Sequence, residues 1–165
     1  MRKLIPLLAL IVLCAPAIAK DKDAQRLLDR NAIMDTMHKY IWTVDSLDAD
    51  GYVSVFTPDA QIDSNGQLMK GHESIRKVVT GMQASQAKNR AEGKPAGALY
   101  HVVSNERIAF QSDTQATYYS YWQTLRKGQD GRYATGGFGR SEDHLVKQKD
   151  GAWLIQYRKL TVFAD

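Results

Sequence analysis

The hydrophobic pattern of this chain changes period once, near residue 98, and this change limits the folds it can adopt. Between residues 21 and 48 apolar side chains recur every three or four positions, which predicts one wide stripe on an amphipathic helix. From residue 98 onward the period is two, which predicts four long strands at about 98–111, 115–127, 133–147 and 152–163. Helices followed by hairpin-connected strands indicate the α+β class.

Shorter elements fill the middle of the chain. Residues 52–56 predict a short second helix that ends at Thr57-Pro58, and Asn65-Gly66 predicts a tight turn between two short strands at 60–63 and 67–70. A third helix is predicted to begin at residue 71 and to give way to a polar loop over 88–97.

The predicted strands are longer than usual, so we expect a strongly curved, mainly antiparallel sheet. Gly136, Gly137 and Gly139 fall within the third long strand, where glycine favours a bulge or kink. Three helices over the opening of such a sheet would enclose either a packed core or a pocket.

The first nineteen residues have the pattern of a secretory signal peptide. Arg2 and Lys3 precede an apolar run, and small residues at 17 and 19 precede Lys20. We expect cleavage after Ala19, which leaves residues 20–165 as one exported domain, periplasmic or secreted, without a membrane segment.

Cysteine and charge exclude further classes of function. The single cysteine, Cys14, lies in the expected leader, and Leu13 before it departs from a lipobox, so we expect neither lipidation nor disulfide or thiol chemistry. The net charge is +4, and it becomes +2 when Arg2 and Lys3 leave with the leader. A charge this weak and this evenly spread does not indicate a nucleic-acid partner.

Several segments in order resemble the SnoaL-like family of the nuclear-transport-factor-2-like superfamily. They are residues 52–60 (YVSVFTPDA), the helix start 71–75 (GHESI), 142–146 (EDHLV) and 150–155 (DGAWLI) with Arg158. The resemblance covers the whole chain after the leader. It implies a cone-shaped, cystatin-like roll enclosing a pocket, a homodimer, and a cofactor-independent dehydratase or isomerase.

The same resemblance implies a catalytic set. Scytalone dehydratase and the bile acid 7α-dehydratases, to which the chain is similar, carry a Tyr and an Asp on the first helix and a His on the first long strand. Tyr40, Asp45 and His101 match them by element and order. In this set the imidazole moves a proton, the carboxylate orients the imidazole, and the phenol polarises a carbonyl. The expected substrate is a small hydrophobic carbonyl compound that is polyketide-, steroid- or aromatic-like.

Four further residues are candidate substrate-binding groups. Asn105 shares a strand face with His101 if alternation is regular, and the others are Trp122, Gln123 and Phe56. Those dehydratases also place a His or Asp on the second long strand, where this chain has residues 121–124, YWQT. This departure leaves isomerisation, hydration or simple binding open.

Each catalytic candidate also has a structural explanation. Asp45 lies near a helix end, where aspartate often caps; Tyr40 fits a core aromatic; and His101 fits a buried histidine bonded to a neighbour. The alternative function is therefore a noncatalytic, exported small-molecule-binding or dimerisation module of the same fold. The catalytic interpretation requires all three side chains to meet at one cavity.

Motifs for other chemistries are missing from the sequence. It contains no His-Glu-x-x-His run, no paired cysteines and no Gly-x-Ser-x-Gly, and its glycine-rich run at 136–139 lies inside a predicted strand. We therefore expect no catalytic metal and no cofactor.

Overall fold

The computed structural model describes residues 15–128 and 131–163. Residues 1–14 of the expected signal peptide lie outside this part of the chain, so the leader, its cleavage after Ala19 and the domain limits 20–165 stay predictions. Within the described ranges no helix combines the length and the apolar composition that crossing a bilayer requires.

Helices and strands follow the predicted order. In the described part of the chain the elements are α1 (Ala15–Asp45), α2 (Ala49–Val53), β1 (Phe56–Ser64), β2 (Gln67–Lys70), α3 (Gly71–Ala91), β3 (Leu99–Phe110), β4 (Gln115–Lys127), β5 (Tyr133–Lys147) and β6 (Trp153–Val162).

The described strands form one open sheet in the order β2-β1-β6-β5-β4-β3. Strands β1 and β6 are parallel and every other neighbouring pair is antiparallel. The α+β class and the mainly antiparallel sheet are thus confirmed, and β3 lies at one edge, where half of its main-chain N–H groups face away from the sheet.

Two element boundaries differ from the sequence prediction. The second helix ends at Val53, and Phe56 already begins β1, because residues 55 and 56 pair with β6: the N–H of Ile155 donates to the carbonyl of Val55 at 2.9 Å. The third helix continues to Ala91, into the segment predicted as a loop, and Lys88 and Arg90 in its last turn complement the helix dipole.

Three of the long strands carry register shifts that reverse their side-chain alternation. They lie in β3 between Ser104 and Arg107, in β5 at Gly136, and in β6 between Ile155 and Tyr157. The glycine segment therefore holds a bulge, as predicted. The β3 shift was not predicted; Asn105 takes a positive φ of 53° there, a conformation that asparagine tolerates better than most residues.

The core lies between the helices and the concave face of the sheet. Helix α1 supplies its buried stripe at the predicted spacing, through Ile33, Met37, Tyr40 and Val44. The sheet and the other helices supply the remaining buried apolar side chains, Tyr52, Val53, Val55, Phe56, Ala60, Ile62, Ile75, Val79, Ala116, Tyr118, Leu145, Trp153 and Ile155.

Candidate active site

Asp45 and His101 are joined by two hydrogen bonds between the end of α1 and the edge strand β3. Oδ1 of Asp45 lies 2.5 Å from Nδ1 of His101, and Oδ2 accepts from the main-chain N–H of His101 at 2.9 Å. Their side chains are only 15% and 17% exposed. Because a carboxylate can only accept, Nδ1 is the protonated nitrogen, and in the neutral ring Nε2 carries a free lone pair.

His101 forms part of the wall of two adjoining cavities. The inner cavity, of about 300 Å³, opens between α1 and the ends of β3 to β6; the residues that line it are Tyr40, Ile41, Leu99, His101, Trp122, Thr124, Arg126, Gly136, Gly137, Arg158, Leu160 and Val162. The outer one, of about 490 Å³, lies between α1 and β3 against Ile41, Trp42, Asp45, Ser46, Tyr100 and His101. The imidazole thus faces the inner cavity with Tyr40 and is bound on its other side by Asp45.

Tyr40 is fixed by aromatic contacts on the buried side of α1. Its ring centroid lies 5.2 Å from that of Tyr52 and 6.0 Å from that of Phe56, and the guanidinium carbon of Arg158 lies 4.0 Å from its ring centre. Burial, together with the charge and hydrogen bond of Tyr40, raises the pKa of Tyr52 well above its usual value. Tyr40 therefore belongs both to this aromatic cluster and to the lining of the inner cavity.

Below the cavity lies a buried ion pair. Nη1 of Arg158 donates to Oδ1 of Asp143 at 2.7 Å, and the two side chains are 4% and 0% exposed. Burial raises the pKa of Asp143 despite the opposing charge of Arg158. Burial lowers the pKa of Arg158, but Asp143 and the tyrosines around it, Tyr40, Tyr52 and Tyr118, together outweigh this effect and raise it. Nε of Arg158 is buried and has no hydrogen-bond partner among the described residues. Asp143 therefore neutralises the charge of Arg158 but leaves one of its N–H groups without an acceptor.

A glutamate of β3 lies on the inner side of its strand because of the register shift, although its side chain is exposed. Tyr118 donates to the Glu106 carboxylate at 2.5 Å, and burial followed by this hydrogen bond raises the pKa of Tyr118. Regular alternation would turn Glu106 away from His101, so the bulge brings a second carboxylate to the concave side of β3.

Trp122 lines the cavity against glycines of the neighbouring strand. A Cβ on Gly139 would lie 2.7 Å from Cζ2 of Trp122, and one on Gly137 would lie 3.6 Å from Cζ3. Glycine at these positions therefore leaves the space that the indole ring occupies. The indole Nε1 is buried and makes no hydrogen bond to the residues that the structure describes.

The structure places the other three candidate binding residues away from the cavity lining. Gln123 lies on the opposite face of β4 from Trp122 and Thr124. Asn105 is exposed at the β3 bulge, since the register shift ends the face it would have shared with His101. Phe56 is 1% exposed in the core, where it packs on Tyr40.

Two cavity cations were not among the predicted site residues, Arg126 and Arg158. Strict alternation along β6 puts Arg158 on the face opposite Trp153, but the register shift after Ile155 turns Arg158, Leu160 and Val162 inward. No signal in the single sequence located that shift. Arg126 could have been predicted from the sequence, because regular alternation along β4 puts it on the same strand face as Trp122.

Over ranges 15–128 and 131–163 no group of three or more His, Cys, Asp or Glu side chains converges to hold a metal.

Solved structures with the same architecture define the class of fold. A cystatin-like, nuclear-transport-factor-2-like protein from Novosphingobium aromaticivorans superposes with a TM-score of 0.73 at 18% identity, covering 87% of each chain. A proposed scytalone dehydratase from the same species gives 0.70 at 21% identity, covering 86% of this chain and 89% of that one. A protein of unknown function from Mycobacterium tuberculosis gives 0.73 at 21% identity, covering 86% and 76%.

The fold is therefore that of a cystatin-like roll, as the sequence predicts. The family model of the SnoaL-like domain matches residues 25–159, and this chain belongs to that family. No curated protein sequence matches it.

Proposed function

We propose that this protein is a cofactor-independent isomerase or dehydratase that moves a proton within a small hydrophobic carbonyl compound. The observation that carries the proposal is the double hydrogen bond from Asp45 to His101, which leaves Nε2 of the imidazole free at a cavity that Tyr40 also lines. The cavity is large enough for one or two fused rings, and its wall is mostly apolar.

The proposed reaction begins with removal of a proton from the carbon next to the carbonyl group. Nε2 of His101 takes that proton, and Asp45 stabilises the imidazolium that forms. The negative charge then lies on the carbonyl oxygen, where the hydroxyl of Tyr40 donates a hydrogen bond. The imidazolium finally returns its proton either to another carbon, which completes an isomerisation, or to a departing hydroxyl group, which completes an elimination of water.

The residues of β4 favour isomerisation over dehydration. At the cavity this strand presents Trp122, Thr124 and Arg126, and none of these side chains exchanges protons near neutral pH. A single His–Asp pair can carry one proton from carbon to carbon, whereas elimination benefits from a second acid close to the leaving hydroxyl. If neither reaction occurs, the same cavity acts as a binding site, which is the noncatalytic alternative.

Proton exchange tests this proposal without knowledge of the natural substrate. The protein is incubated with 2-tetralone, a bicyclic ketone, in D₂O, and loss of the α-proton signal is followed by NMR. We expect wild-type protein and the surface variant His38→Asn to accelerate exchange equally, and His101→Asn to lose the acceleration. Exchange by His101→Asn at the wild-type rate would reject the proposed role of His101.

We further propose that the protein is exported with a leader at residues 1–19 and pairs as a homodimer through the outer face of its sheet. That face carries a cluster of exposed rings, Tyr121, Phe138 and Phe163, with centroids 5.3 to 6.2 Å apart. Intact mass of the secreted protein tests the leader, and sedimentation of Phe138→Ser against wild type tests the dimer. A monomer in wild type would contradict the dimer.

A further inference from the structure

We infer that the cavity contains an anion subsite, formed by Arg126 and Thr124 above Gly136, and that the substrate carries a carboxylate at this end. This inference deepens the proposed function, on which it rests, by naming the class of substrate as a hydrophobic carboxylic acid.

The first argument is the charge of the cavity wall. Its ionisable side chains are Tyr40, His101, Arg126 and Arg158, and none of the lining residues is acidic. Arg158 is paired with Asp143 and His101 with Asp45. Within the described ranges, the side chain of Arg126 makes no hydrogen bond, ion pair or ring contact. Arg126 therefore supplies a positive charge that the protein itself does not neutralise.

The second argument is the geometry above Gly136. A Cβ built on this glycine would lie 2.8 Å from Nε of Arg126 and 2.9 Å from Oγ1 of Thr124. Two hydrogen-bond donors thus lie close together over the backbone of Gly136, an approach that the missing side chain at residue 136 permits. A carboxylate on the cavity side of these two groups can receive a charge-assisted hydrogen bond from the guanidinium and a second bond from the hydroxyl.

The third argument is position. Thr124 and Arg126 are two residues apart on β4, so they share the face that Trp122 presents to the cavity. Arg126 also borders a third cavity, beside the end of α3, which places it at the rim of the inner cavity and not at its buried end. A carboxylate bound there stays close to solvent while the apolar part of the ligand lies deeper, towards His101 and Tyr40.

The test uses two probes of nearly equal shape, 2-naphthoate and 2-naphthamide, whose binding is measured by calorimetry at low salt. Wild-type protein is expected to bind the carboxylate about tenfold more tightly than the amide. Arg126→Gln should bring the two affinities to within about twofold, mainly by weakening naphthoate. The matched control is Lys127→Gln, which makes the same charge change on the opposite face of β4 and should keep the full preference.

A second variant separates geometry from charge. Gly136→Ala keeps every charge but places a Cβ within 3 Å of both donor side chains, which must then move, so it should also remove the preference for naphthoate. The proposed function and the subsite can fail separately in wild-type protein. A preference for naphthoate without proton exchange would reject the proposed function and keep the subsite, whereas proton exchange without the preference would reject the subsite alone. Equal affinities in wild type, no binding of either probe, or an unchanged preference in Arg126→Gln would overturn the inference.

Discussion

Asp45, the last residue of α1, binds both the ring Nδ1 and the main-chain N–H of His101, at 2.5 and 2.9 Å, across 56 positions of sequence. One carboxylate thereby fixes the orientation of the ring and also satisfies a donor on the edge strand β3. The two contacts link the position of the proposed proton-transfer group to the docking of a helix on the sheet.

Asp45→Asn should damage both roles. An amide has one acceptor oxygen, so it cannot accept from Nδ1 and from the main chain as the carboxylate does, and the free energy of unfolding should fall by about 1–3 kcal/mol. Proton exchange should fall about 10²-fold or more because the ring loses its orienting charge. Urea unfolding and the 2-tetralone assay measure the two effects. Asp35→Asn, an exposed change on the same helix, is the control; equal losses in both variants would contradict this role of Asp45.

Tyr40→Phe should separate chemistry from packing. The ring contacts with Tyr52, Phe56 and Arg158 remain, but the buried Tyr52 hydroxyl loses its hydrogen bond to Tyr40, so the free energy of unfolding should fall by about 1–3 kcal/mol. Proton exchange should fall roughly 10-fold to 100-fold, because the carbonyl oxygen loses one hydrogen bond. Tyr52→Phe removes a hydroxyl of the same cluster that does not line the cavity, and it should exchange nearly normally. A Tyr40→Phe variant with wild-type exchange would show that the hydroxyl does not contact the reacting carbonyl.

The sequence predicts the orientation of a site residue correctly only where no register shift interrupts the alternation of its strand. His101 lies before the β3 bulge, so simple alternation placed it on the inner face with Leu99, as the structure has it. Asn105 lies within the bulge, and alternation failed there. The same failure concealed Arg158, which follows the shift in β6.

Element order was predictable for a different reason. Hydrophobic period is a property of many residues together, so the long strands agree with the prediction to within one or two residues. The boundary near Phe56 depends instead on pairing with Ile155, a partner almost a hundred positions away, and no local pattern encodes that contact.

Substitution by alanine should change the free energy of unfolding in opposite directions at two glycines, Gly139 and Gly81. Gly139→Ala places a Cβ 2.7 Å from Trp122 and against the main-chain oxygen of Thr161, which cannot move freely, so we expect a loss of about 1–3 kcal/mol in unfolding free energy and a weaker binding of 2-naphthamide. Gly81→Ala lies in helix α3 with nothing within 4 Å of the new atom, and it should gain about 0.5–1 kcal/mol. Thermal denaturation compares the two; a tolerated Gly139→Ala would contradict the packing of Trp122 described above.

Acid should weaken the attachment of α1 to the sheet through Asp29. Burial acts to raise the pKa of its carboxyl, but hydrogen bonds from Lys147 at 2.6 Å, from Trp153 at 3.2 Å and from Gln25 at 3.2 Å outweigh burial, and the pKa is lowered. A carboxyl whose pKa is lowered in the folded state stabilises the protein at pH values above its pKa in the unfolded chain. This contribution is lost as the pH falls through the folded-state pKa. Urea unfolding from about pH 6 to about pH 3 should therefore show a steeper loss for wild type than for Asp29→Asn. Parallel curves would contradict the assignment.

The tautomer of His101 tests the central claim most directly, because it reports the Asp45 contact and the free base in one spectrum. Nitrogen-15 NMR of the imidazole side chains, with His101→Asn used to assign the signal, should show a proton on Nδ1 and an unprotonated Nε2 in neutral protein. This pattern should be lost in Asp45→Asn. A proton resident on Nε2 in wild-type protein would mean that the nitrogen facing the cavity has no lone pair to offer, and the account of proton transfer would be wrong.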